Sequence, residues 1–213
     1  MKTDDLVLML ATGADAVDAK APVRRYLIAV GCGALVATFL MVVLFGVRPT
    51  LSRDAAFPMF WIKAAFCAAL AAGGLLAVTR LARPGTRLAW VPVGLAAPVL
   101  VMWMLAAVAL LGANPEERTE LIFGNTSAVC PLIIALLSAP VFVALLWAMK
   151  RLAATRLRLA GAAAGIASGA IGALVYTLHC PELAAPFLGI WYALGMLIPT
   201  VVGGWFGPRL LRW

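Results

Sequence analysis

Apolar residues run along this chain in long unbroken blocks, not in alternation, and the blocks are rich in Ala, Leu and Gly. About 20 mostly apolar residues cross a hydrocarbon core of roughly 30 Å as a helix. Six stretches meet that length: 26–47, 60–79, 88–111, 127–149, 159–178 and 187–207. Together they take up 130 of the 213 residues. Continuous apolar runs disfavour the period-two pattern of membrane strands. The pattern predicts an all-α integral membrane protein, a bundle of six transmembrane helices. Residues 1–25 stand before it as a separate segment, and residues 26–213 form the transmembrane domain. The loops hold 8 to 15 residues each, too few to build a core of their own.

Composition agrees. Hydrophobic residues make up 64% of the chain and charged residues 12%, and the mean hydropathy is +1.02. A soluble domain carries about 25% charged residues. The net charge of +8 is explained by where the basic residues fall. The N-terminal segment, the loops after spans 2 and 4, and the tail hold thirteen Lys and Arg, and the opposite loops hold three, Arg48, Arg53 and Arg118. Basic loops stay on the cytoplasmic side, so both termini are expected in the cytoplasm. The basic charge then serves topology, and no direct nucleic-acid contact is needed to explain it. Four acids in residues 1–25 (Asp4, Asp5, Asp15, Asp18) and a first apolar run of full span length argue against a cleaved signal peptide.

Inside the spans, Asp, Glu and His are absent and Lys63 is the single ionisable side chain with a permanent charge. Ion-coupled transporters and intramembrane metalloproteases need such groups there. Lys63 lies near the outer end of span 2 and is expected to snorkel to the interface. Gly161, Gly165 and Gly169 form a GxxxGxxxG ridge for close helix approach, expected within the bundle. Pro98, Pro140 and Pro199 fall near mid-span, where proline tends to kink a helix. Trp61, Trp90, Trp147 and Trp213 fall near predicted interfaces and read as anchors.

Four cysteines are present. Cys32 and Cys67 lie within spans and read as small apolar packing residues. Cys130 and Cys180 are different, because the topology puts both at one outer boundary, each followed by proline. The second lies in His179-Cys180-Pro181-Glu182, beside the chain's one histidine. Two chemistries fit. The thiols can join as a disulfide if their Cα atoms approach within about 7 Å. Alternatively, thiolates assisted by His179 and Glu182 can take a soft or borderline metal ion transiently. A permanent disulfide, or two unrelated buried thiols, stays open beside them. No CxxC pair exists, and no resident cofactor is implied.

In residues 1–25, Thr3 can cap a helix whose first turn holds Asp4 and Asp5. Leu6, Met9 and Leu10 then share one face, with Gly13 as a stop. Such a helix suits helix-in-groove docking to a soluble partner. It equally suits lying on the bilayer or on the bundle's own loops.

Several landmarks recur in one order: Met1-Lys2-Thr3-Asp4-Asp5-Leu6, Pro22-Val23-Arg24-Arg25, Pro58-Met59-Phe60-Trp61-Ile62-Lys63 and Arg80-Leu81-Ala82-Arg83-Pro84-Gly85. The Cys130 segment, Leu178-His179-Cys180-Pro181-Glu182, Trp191-Tyr192 and the Gly207–Trp213 tail follow. In this order and six-span layout the chain resembles the NrsF family, negative regulators of sigma-F in Gram-negative bacteria. The resemblance implies a non-enzymatic anti-sigma factor of the inner membrane. Its short N-terminal region would hold an extracytoplasmic-function sigma factor, here through Thr3, Asp4, Asp5, Leu6, Met9 and Leu10. It also implies sensing of metal or oxidative stress at paired outer cysteines, which match Cys130 and Cys180. The apolar run Val7–Leu10 departs from the family's pattern. Rival readings are a small permease subunit, which predicts substrate flux, and a membrane thiol-exchange protein, which predicts turnover of a disulfide.

Overall fold

A computed structural model describes residues 3–5, 7, 21–82, 86–150 and 156–212. Seven helices organise them: α1 Ala21–Leu44, α2 Pro58–Leu81, α3 Val91–Gly112, α4 Pro115–Phe123, α5 Cys130–Met149, α6 Leu157–Tyr176 and α7 Ala185–Leu210. A single helical turn, Leu51–Asp54, lies between α1 and α2. No strand occurs among the described residues. All but α4 are long and apolar enough to cross a membrane, as the pattern predicts. The first helix begins earlier than expected, at Ala21, because Pro22 is tolerated in a first helical turn. The helix α4 was not expected. Its start follows from Asn114 as N-cap residue, Pro115 at its first position and Glu116 and Glu117 in the first turn, all of which favour a helix N-terminus.

The bundle is built around α6, which packs against α7, α2 and α5. α1 lies outside on α5, and α3 leans on α2 and the start of α7. Composition explains the centre. α6 reads LRLAGAAAGIASGAIGALVY, so small side chains let three neighbours approach its backbone at once. A Cβ on Gly161 would strike the carbonyl of Gly203, and one on Gly165 the carbonyl of Pro199. The GxxxGxxxG ridge is therefore an internal seam against α7, run antiparallel. The outer helices expose Leu35, Phe39, Met104, Leu111 and Val143, an apolar surface that suits lipid and not water.

Helix α7 contains a π-helical stretch, Leu188–Tyr192. Short π segments occur often at functional sites. Here the carbonyl of Gly189 accepts a hydrogen bond from Trp103 Nε1 at 3.1 Å, and Trp191 Nε1 donates to Ile122 O at 2.8 Å. Both indoles fasten neighbouring elements to the start of α7. Trp61, Trp90 and Trp147 are exposed, as anchors would be. Cys32 is also exposed, so it does not pack in the core as expected. It lies on the outward face of α1. Cys67 is buried.

Replacing Gly165 by Leu should lower the stability of the purified protein by about 1–3 kcal/mol or more, the usual cost of overpacking. Gly94→Ala, where a Cβ meets nothing within 4 Å, should be close to neutral. Thermal unfolding in detergent checks the pair.

Candidate functional site

One end of the bundle draws three loops together around Cys180. Cys130 opens α5, with Pro131 at a first-turn position where its missing N–H costs nothing. Cys180 follows the last turn of α6, and its N–H bonds Tyr176 O at 3.0 Å. Both sulfurs are wholly buried and both cysteines are free thiols. The two side chains lie within interaction range of each other, and Cys130 acts as the donor toward Cys180. Cys180 is held below the ordinary thiol range. The largest cause is that donated hydrogen bond. The positive charge of Lys63, the Tyr192 hydroxyl and a backbone hydrogen bond from Glu182 add to it, while burial works the other way.

Lys63 corrects an expectation. It does not snorkel: it is 0% exposed. Its Nζ donates to Cys180 O at 3.0 Å and to Glu182 O at 2.9 Å, and it sits 4.7 Å from the centroid of the Tyr192 ring. Arg48, also buried, donates from Nη1 to the same Cys180 carbonyl at 2.6 Å and pairs with Asp54 at 3.3 Å. Thr50 holds Asp54 in turn, at 2.9 Å. Two cations from separate elements thus converge on one backbone carbonyl. Water cannot reach Lys63, so these bonds must replace its hydration. The sequence held a signal for this role, because an ionisable residue inside a span is by default functional.

The auxiliary residues are placed around the thiols but are committed elsewhere. His179 meets Gly46 O through Nδ1 at 3.0 Å and packs against Phe45 and Tyr176. Glu182 accepts a hydrogen bond from the Asn125 N–H at 2.9 Å. Its carboxylate fills the space beside Gly124, whose φ of +49° and missing Cβ are both needed there. Among the described residues, no group of three His, Cys, Asp or Glu is placed to hold a metal ion. What the geometry supplies is a two-sulfur site. Such a pair can be oxidised to a disulfide or can take a soft ion between two thiolates.

Of the residues expected to contact a partner, Thr3, Asp4 and Asp5 are helical and exposed, as is Val7. Leu6, Met9 and Leu10 lie outside the described residues.

A helical bundle with six helices long and apolar enough to cross a membrane, carrying two buried thiols at one end, sets the class of the protein. The comparisons with known proteins specify it further. The family model "NrsF: Negative regulator of sigma F" matches residues 10–213. "Probable anti-sigma-F factor NrsF" of Azospira oryzae is 56% identical over 213 residues, covering all of both chains. "Anti-sigma-F factor NrsF" of Caulobacter vibrioides is 38% identical over 217 residues, again covering all of both chains. No solved structure matches. The chain belongs to the NrsF family, whose function is regulatory and not enzymatic.

Lys63→Met removes the cation and orphans Glu182 O, while Cys180 O keeps Arg48. An unpaired buried carbonyl costs about 1–3 kcal/mol, so the 180–182 turn should loosen. Maleimide should then label Cys130 and Cys180 faster than in the wild type. Equal labelling rates would show that Lys63 does not hold the turn.

Proposed function

We propose that this protein is an anti-sigma factor of the bacterial inner membrane. It sequesters an extracytoplasmic-function, sigma-F-type factor through residues 1–25 and releases it when a periplasmic metal or oxidant reacts at Cys130 and Cys180. The observation that carries the sensing half is the contact between two buried thiols at one end of the bundle. Family membership carries the sigma-factor half. The thirteen-to-three distribution of Lys and Arg supports an orientation with both termini in the cytoplasm. That orientation puts the thiols outside and the partner segment inside.

The chemistry is economical. Oxidation takes two electrons from the pair, forms one S–S bond and releases two protons, with the oxidant as acceptor. A soft metal ion would instead displace the thiol protons and bridge the sulfurs. Either event changes the 178–182 turn, which Lys63 ties to α2 and Arg48 to the α1–α2 loop. α2 and α6 both run to the opposite end of the bundle, where α1 begins, and a shift of that turn would be carried there. Moving bound sigma factor from 99:1 to 1:99 requires about 5.5 kcal/mol of differential interaction. Disulfide and metal–thiolate bonds operate on that scale.

Replacing Leu6, Met9 and Leu10 together by Ser should weaken capture of the sigma factor about thirtyfold or more, the effect of losing a buried hot spot. Pull-down with the detergent-solubilised full chain measures this. Undiminished capture would move the contact away from that face.

A further inference from the structure

The end of the bundle opposite the thiols carries a second feature, unrelated to sensing. A groove of about 490 Å³ opens between the start of α6 and the end of α7, lined by Arg158, Val201, Gly204, Trp205, Pro208 and Arg209. Two guanidinium groups, one from each helix, flank it. Neither has a carboxylate partner among the described residues. From Lys150 to Trp213 the only acid is Glu182, at the far end of the bundle. Arg209 lies over the Phe206 ring, at 5.9 Å.

The local backbone adds to the positive field. α6 starts with Arg158 in its first turn, no acid there and no side-chain cap. A helix N-terminus carries partial positive charge and free N–H groups, so basic residues there are unfavourable unless an anion is present. The walls say which kind of anion. Val201 and Trp205 are 55% and 71% exposed and lie on a membrane-spanning helix. Val201 is about 12 Å further along α7 from Arg209, at 1.5 Å per residue. The groove therefore runs from a cationic rim into the hydrocarbon zone. A soluble anion would use only the rim, and an acidic protein surface would not follow the walls into lipid.

We propose that this groove binds an anionic phospholipid, its phosphate between Arg158 and Arg209 and an acyl chain along Val201 and Trp205. The lipid would close the end of the α6–α7 glycine seam, where Gly207 packs on Leu157.

The test is native mass spectrometry of the full chain taken from phosphatidylcholine vesicles with or without phosphatidylglycerol. The wild type should retain phosphatidylglycerol in preference to phosphatidylcholine. Each arginine near an anionic lipid surface contributes about a fivefold effect. Arg158→Gln/Arg209→Gln should thus cut retention roughly thirtyfold, and Arg118→Gln should leave it unchanged. Equal retention by the double variant would overturn the site. Displacement by inorganic phosphate would assign the rim to a free anion, and a gain in retention on deleting residues 1–20 would assign the groove to that segment; either result also overturns it. A second arm needs no charge variant. Brominated phosphatidylglycerol should quench tryptophan emission more than brominated phosphatidylcholine, and Trp205→Phe should remove the difference. No difference in the wild type would count against the proposal.

Discussion

A lysine ammonium enclosed in a membrane bundle must find replacements for its water, and in this protein that requirement organises one whole end of the fold. Among the described residues, no carboxylate pairs with Lys63. It is held by two backbone carbonyls and the face of Tyr192. Those carbonyls belong to Cys180 and Glu182, so the turn that carries the second thiol is fixed by satisfying the charge. Arg48 makes the same demand on Cys180 O from the other side. Removing water from a cation costs several kcal/mol, and the bonds that offset it join the turn, the α1–α2 loop and the start of α2.

In the proposed mechanism this coupling would give the thiol pair its leverage. Two cysteines on a flexible loop could be oxidised without consequence for the rest of the chain. Here Cys130 starts α5, and Cys180 lies in the turn after α6 that Lys63 of α2 bonds directly. α6 in turn sits at the centre of the bundle, with backbone contact to α7 along Gly161, Gly165 and Gly169. Close backbone packing of this kind transmits displacement, since it has no compressible side-chain layer. The family identity supplies what such a bundle regulates, a sigma factor.

Much of this was legible in the sequence. Six apolar runs of span length gave the helices, and the glycine ridge gave the α6–α7 seam, because both depend on local composition. The shared position of Cys130 and Cys180 followed from counting spans. The position of Lys63 near the end of a span suits snorkelling, and nothing local in the sequence signals its burial. Only tertiary structure shows that the 178–182 turn folds over it. His179 and Glu182 looked like ligands from adjacency, yet Gly46 O and the Asn125 N–H claim them, across sequence separations that no local pattern encodes. The π stretch at Leu188–Tyr192 has no simple sequence signal. The α4 helix did have one, in Asn114-Pro115-Glu116-Glu117, but a short polar helix is hard to tell from a loop.

The central claim is that chemistry at Cys130 and Cys180 controls the hold on the sigma factor. It is tested most directly by reconstituting the full chain with bound sigma factor in lipid nanodiscs and adding a thiol oxidant or a soft divalent metal ion. The released fraction is then followed for the wild type and for Cys130→Ser/Cys180→Ser. Release from the wild type, with the variant still bound and unresponsive, is the expected result. Equal release from both would contradict the claim and place the signal elsewhere in the bundle.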